Sequence, residues 1–161
     1  MYASHNTIPY HSILYICLNS DPFSYQCAYT GDLSWLLDNK FIAFAGPHAA
    51  SVTGDNSDPS NNGGGYQHLS PEHYVPYFKH RNVTLVVRLN KKYYDSRSFT
   101  NNGIDHIDLY FLDGSNPPDH ILSKFLSLAE GTDGALAVHC KAGLGRTGSC
   151  IGMWLGSVCT V

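Results

Sequence analysis

Ala135-Leu-Ala-Val-His-Cys-Lys-Ala-Gly-Leu-Gly-Arg-Thr-Gly148 is the stretch on which the fold turns. It reads as a short apolar strand, a loop with three glycines and the start of a helix. Cys140 and Arg146 bracket five residues of that loop, Lys141, Ala142, Gly143, Leu144 and Gly145. Glycines let successive backbone N–H groups turn toward one anion. The N-terminus of the following helix adds unpaired N–H groups and partial positive charge at the same spot. Such a field binds phosphate and also stabilises a thiolate, whose pKa of ~8.5 drops to roughly 3.5–7.5 in these surroundings. Arg146 offers a planar fork of donors suited to two phosphate oxygens, which a lysine cannot reproduce. Thr147 places a hydroxyl near the sulfur, and His139, at the strand end, is placed to orient the loop. The candidate site is therefore Cys140 as nucleophile, Arg146 and the backbone from Lys141 to Arg146 as phosphate cradle, Thr147 as aid to the sulfur, and His139 as support.

Two other readings compete. A cysteine at the end of a buried strand is often only a small apolar residue. Gly143-Leu-Gly-Arg-Thr-Gly148 also fits the dinucleotide fingerprint G-x-G-x-x-G, but its acidic ribose-binding partner about 20 positions on would lie beyond Val161, and the fingerprint leaves Cys140 and Arg146 without roles. The Walker pattern fails, because no lysine precedes Thr147.

The full string His139-Cys-Lys-Ala-Gly-Leu-Gly-Arg-Thr-Gly148 resembles the signature loop of cysteine-dependent protein phosphatases. Its exact filling is similar to that of the cell-division-cycle-fourteen family of dual-specificity phosphatases. Gly31-Asp-Leu-Ser-Trp35, Lys40-Phe-Ile-Ala-Phe-Ala-Gly-Pro-His48, Tyr77-Phe-Lys-His-Arg-Asn-Val-Thr84 and Val87-Arg-Leu-Asn-Lys-Lys92 agree with it, as do Asp105 to Ser115 and Gly134 to Gly148. The similarity runs from Asp21 to Leu155, as several motifs in the same order. It implies hydrolysis of phosphoserine or phosphothreonine followed by proline, and of phosphotyrosine, on protein substrates of proline-directed cell-cycle kinases. It also implies a nuclear, nucleolar and cytoplasmic distribution that includes the spindle or centrosome.

The rest of the chain fits such a reading. Its 161 residues suit one domain. Charged residues are 14% and the net charge is −3, so bulk electrostatics gives no sign of nucleic acid. Five cysteines without a C-x-x-C pair argue for a reducing compartment and against a zinc site. Nine histidines lie scattered, never at ligand spacing, and no metal or cofactor is expected. Ile13 to Leu18 is too short an apolar run to span a bilayer, and no membrane association is expected. Nothing sets an oligomeric state.

Alternating strands and helices predict an α/β fold, a largely parallel sheet flanked by helices as in the tyrosine and dual-specificity phosphatases. Strands are expected over Phe41 to Ala45, Val83 to Leu89, Ile104 to Phe111 (with Ile107, Leu109 and Phe111 on one face) and Ala135 to His139. A helix is expected after Ser70, as its cap, and another after Pro117 and Pro118, with Ile121, Leu122, Phe125, Leu126 and Ala129 toward the core. Asp95 is expected to cap a short helix ending near Gly103. Ala49 to His68 reads as a surface insertion, and Lys91 and Lys92 as a solvated turn. Residues 1–27 read as a linker remnant or unstructured segment, and 28–161 as the catalytic domain without the C-terminal helices and the upstream domain that the resemblance implies. The helix after the signature is expected to fade near Leu155, because Gly156 and valine disfavour it, and the uncovered apolar surface to leave a marginal scaffold.

Cleavage of a phosphate ester also needs a proton for the leaving oxygen, worth typically 10²–10⁴-fold. Asp113, in Phe111-Leu-Asp-Gly-Ser-Asn-Pro-Pro118, lies in a loop with a glycine hinge at the carboxyl end of a strand, and the resemblance puts the general acid at this Asp-Gly-Ser position. Asp105, Asp108 and Asp119 are the rival carboxylates. A catalytically weak fragment that only binds phosphoproteins is the alternative to a working phosphatase.

Overall fold

The computed structural model describes residues 33–49 and 69–159. Residues 1–32 and 50–68, with the expectations for the N-terminal segment and the surface insertion, lie outside them.

The chain order is β1 (Leu33–Leu37), β2 (Phe41–Phe44), α1 (Pro71–His80), β3 (Val83–Arg88), α2 (Arg97–Thr100), β4 (Asp105–Asp108), α3 (Asp119–Gly131), β5 (Ala135–His139) and α4 (Gly145–Cys159). The strands form one sheet in the order β1-β2-β5-β3-β4. Only the β1–β2 pair is antiparallel; the other three pairings are parallel. β1 was not foreseen. It forms because Asp38 and Asn39 turn the chain back, with Asn39 at φ 60° and Lys40 N–H donating to Leu37 O at 3.0 Å. Asparagine accepts that left-handed conformation better than most residues do.

The sheet is buried on both faces, which is why β2, β3 and β5 read as continuous apolar runs. Alternation sends Phe41, Ala43, Leu136 and Val138 to one face, where α3 and α4 supply Phe125, Ala129, Ile151 and Trp154. Ile42, Phe44, Ala135 and Ala137 take the other face, against Tyr74, Val75 and Phe78 of α1 and Phe99 of α2. A register shift between Val83 and Leu85 puts those two residues on opposite faces although they are two positions apart. Cys140 continues the face of Val138, and His139 lies in the row opposite.

Several expectations need correction. β4 ends at Asp108, but the pattern beyond it holds: Leu109 N–H donates to Arg88 O, Phe111 N–H to Leu89 O, and both side chains are buried. Ser70 occupies the cap position of α1 without a cap hydrogen bond; its hydroxyl pairs with His73 Nδ1 at 2.9 Å instead. Asp95 Oδ1 accepts the Arg97 N–H at 2.9 Å, one residue outside the cap of α2. The signature helix does not fade at Leu155 but reaches Cys159. Leu155 and Val158 pack on the core beside buried Trp154, and that burial outweighs the ~1 kcal/mol helix penalty of Gly156.

Candidate active site

The parallel register lines up Phe44, His139, Arg88 and Asp108 across the last row of β2, β5, β3 and β4. The site is built just beyond that row, at the carboxyl ends of the strands, where open α/β sheets place their ligands. β5 delivers Cys140, and the loop behind it folds back against the end of β2. Gly46 N–H donates to Lys141 O at 3.1 Å. A Cβ on Gly46 would overlap the Cys140 carbonyl, and one on Gly143 would overlap the Phe44 carbonyl. Gly143 also has φ +73°, so it needs to be glycine on two counts. Gly145 and Gly148 differ from that expectation: both lie in α4, with nothing within 4 Å of an added Cβ.

Cys140 is a free cysteine at 3% exposure. Burial pushes its thiol pKa up, but the Thr147 hydroxyl and the N–H groups of Thr147, Gly143 and Leu144 together pull it below the ordinary cysteine value. The net lowering therefore comes from neutral donors converging on one sulfur. Thr147 is fully buried, and its Oγ1 lies near the sulfur without an aligned hydrogen bond. Cys150, one helical row along, lacks such donors: burial and the neighbouring Cys140 push it up to about 12.

Arg146 is buried, and its Nη1 donates to Phe111 O at 3.1 Å and Leu89 O at 3.4 Å. Its Nε lies 3.2 Å from Asp113 Oδ1. The N–H is not aimed at that carboxylate, so Arg146 Nε is a buried donor without a hydrogen bond among the described residues. Asp113 is exposed at 73% on its side chain. Of the rivals, Asp108 is held in a two-pronged pair with Arg88, at 2.6 and 3.0 Å. Asp105 opens β4 at the opposite end of the sheet, and Asp119 is the first residue of α3. Lys141, Ala142, Leu144 and Gly145 are exposed along the rim, whereas Gly143 is buried.

His139 has no exposed surface. Its Nδ1 pairs with Cys140 O at 3.0 Å and its Nε2 with the Tyr94 hydroxyl at 2.7 Å. Tyr94 and Arg88 were not foreseen as part of this region. An arginine inside the apolar run Val83 to Leu89 was the available signal for Arg88; nothing local marks Tyr94. Among the described residues no group of three or more His, Cys, Asp or Glu is placed to hold a metal ion, and no helix is long and apolar enough to cross a membrane.

Residues 66–158 match the family model described as "Polymorphic toxin system, DSP-PTPase phosphatase". The chain belongs to the DSP-PTPase phosphatase family. The curated relatives that it matches include several CDC14 phosphatases, in agreement with the resemblance noted in the sequence. The dual specificity protein phosphatase CDC14C of Symphalangus syndactylus is 44% identical over 96% of this chain and 30% of its own length. CDC14A of Homo sapiens is 49% identical over 81% of this chain and 20% of its own length. This DSP-PTPase chain thus spans less than a third of those relatives. Among solved structures, a Leishmania major chain described as a protein tyrosine phosphatase superposes with TM-score 0.55 at 25% identity, over 75% of this chain and 69% of its own. Tk-PTP in its active form gives TM-score 0.54 at 19% identity, over 74% of this chain and 69% of its own, which shows a shared fold.

Proposed function

We propose that this DSP-PTPase chain is a cysteine-dependent protein phosphatase whose catalytic domain is residues 28–161. The observation that carries the reading is Arg146, buried at the end of the loop that starts at Cys140, with its Nε 3.2 Å from Asp113 Oδ1 on the neighbouring loop and not hydrogen-bonded to it. The Cys140 thiolate attacks phosphorus while Arg146 and the N–H groups from Lys141 to Arg146 hold the non-bridging oxygens. Asp113, protonated, gives its proton to the leaving oxygen as the P–O bond breaks. Water then attacks the cysteinyl phosphate and Asp113 takes its proton. The P–S bond breaks, thiolate and inorganic phosphate are released, and Thr147 steadies the sulfur in both steps. His139 supports the loop.

The substrates we infer are phosphoproteins made by proline-directed kinases, phosphorylated on serine or threonine before proline or on tyrosine. The cellular role is in cell-cycle control, in nucleus, nucleolus and cytoplasm and at the spindle or centrosome. The relatives' names, dual specificity protein phosphatases, support the phosphoprotein substrates of this reading. The test is phosphate release from a phosphoserine-proline peptide and a phosphotyrosine peptide, with Cys140→Ser as control. Turnover of either, lost in the variant, is expected. Tight phosphopeptide binding with no turnover by the parent chain would favour a phosphoprotein-binding role instead.

A further inference from the structure

Behind the Cys140 loop, on the other face of the sheet, the buried polar groups form a chain with only one permitted direction. The Cys140 carbonyl can only accept, so His139 Nδ1 carries the proton in their 3.0 Å contact. His139 is neutral in the fold, since burial pushes its pKa down to about 3. Its Nε2 is then an acceptor, and the Tyr94 hydroxyl must donate to it across 2.7 Å. That leaves Tyr94 Oη as acceptor for its other partner, His106 Nε2, at 2.9 Å. His106 accordingly carries its proton on Nε2. Tyr94 cannot turn away, because Arg88 Nη1 donates to its carbonyl at 2.8 Å and the guanidinium lies 4.5 Å over its ring. Asp108 holds Arg88 in turn. Phe99 stacks on His106 from the other side.

We propose that Tyr94 and His106 are positioning residues for the reaction, acting through His139 to fix the peptide that follows Cys140. A trans peptide points its N–H opposite to its C=O. With the Cys140 carbonyl held on the His139 side, the Lys141 N–H faces away from His139, and the start of the loop is fixed in that orientation. Each link strengthens the next, because a donor whose acceptor side is already occupied is more polarised. The loop geometry that gives the thiol its convergent donors thus depends on a hydroxyl on the far side of the sheet. This rests on Cys140 being the nucleophile, so the test needs a readout that does not require turnover.

The charged and titratable groups around the two ends are Cys150 beside Cys140 with the Arg146–Asp113 pair at the end of the loop, and Arg88, Asp108 and Lys92 near Tyr94 and His106. All are unchanged in the variants Tyr94→Phe, His106→Gln and His106→Leu. In the full chain, the rate of Cys140 alkylation by iodoacetamide is followed against pH by peptide mass spectrometry, beside kcat/KM for p-nitrophenyl phosphate. Tyr94→Phe is expected to raise the apparent Cys140 pKa by roughly 0.5 to 1 unit, about the effect of one hydrogen bond. The acid limb of kcat/KM should move by the same amount. His106→Gln keeps an N–H donor and is expected to stay near the parent curve, while His106→Leu follows Tyr94→Phe. Unmoved alkylation curves in Tyr94→Phe and His106→Leu overturn the proposal, as do equal shifts for His106→Gln and His106→Leu. A shifted alkylation curve in a chain with no phosphatase turnover would uphold the relay and reject the proposed activity.

Discussion

At Cys140 two opposed effects meet on one sulfur. Burial favours the neutral thiol, and the Thr147 hydroxyl with the N–H groups of Thr147, Gly143 and Leu144 more than offsets it, so the pKa lies below the ordinary cysteine value. Cys140→Ser replaces the thiol by a hydroxyl that the same donors cannot ionise near neutral pH. Turnover should vanish, while vanadate or phosphate binding, measured by calorimetry, stays within a few-fold of the parent. At Asp113 the leaving group decides the effect. Asp113→Asn should slow an alkyl phosphate by roughly 10²–10⁴-fold and p-nitrophenyl phosphate far less, since nitrophenolate leaves without a proton. Equal losses on the two substrates would remove Asp113 as the acid. Arg146→Lys keeps the charge but loses both the fork and the Nη1 bonds to Phe111 O and Leu89 O. Those carbonyls belong to the segments that lead into the Asp113 loop and away from β3. The expected loss in kcat/KM is about 10–100-fold, the worth of one charged hydrogen bond or more.

Among the elements, the loop between β5 and α4 shows how much the sequence discloses. The string from His139 to Gly148 marked the candidate site because its parts are local: candidate nucleophile, glycine loop and helix start are adjacent in the chain. β3 and β5 were legible for a related reason, since strands buried on both faces are apolar without a break. β1 was not, because Leu33 to Leu37 carries no alternation and its pairing depends on the Asn39 turn. The end of α4 was misjudged because local propensity argued for a stop while Trp154, Leu155 and Val158 found a core to pack on. Tyr94 and His106 were invisible, because their link to His139 spans 45 residues from Tyr94 to the imidazole. The glycines permit a paired test at this scale. Gly143→Ala meets both a left-handed φ and the Phe44 carbonyl, and should cost roughly 1–3 kcal/mol and most of the activity. Gly145→Ala has open space at the helix start and should change stability by less than about 1 kcal/mol. Urea unfolding of the two variants side by side checks this, and similar losses in both would show that the loop is not held in the described turn.

For the whole molecule, the buried imidazoles tie stability to pH. Burial pushes His139 down to about 3 and His106 to about 4, helped in both by the nearby Arg88 charge. An unfolded histidine takes up its proton near ~6.5. Below that pH the unfolded chain binds protons that the folded chain refuses, so unfolding becomes easier as pH falls. Each such histidine contributes a slope of about 1.4 kcal/mol per pH unit, and His139 alone should remove roughly 2 kcal/mol by pH 5. His106 adds less than its full slope, being partly open to water. Asp108 acts in the same direction but only lower down. Burial raises its carboxyl and the Arg88 hydrogen bond more than offsets that, so its contribution is present above the ordinary carboxylate pKa and lost beneath it. The window between pH 6.5 and about 4 therefore belongs to the imidazoles. Relative to a domain stability of ~5–15 kcal/mol, the loss is large enough to read directly. Urea titrations at pH 7.5, 6.5, 5.5 and 5.0 should give a midpoint that is flat down to 6.5 and then falls steadily. The ring proton shifts of His139 should show no protonation at pH 5 in the folded chain. Constant stability across that range, or a His139 signal that titrates near 6.5, would mean that the imidazole is not sealed behind the Cys140 loop.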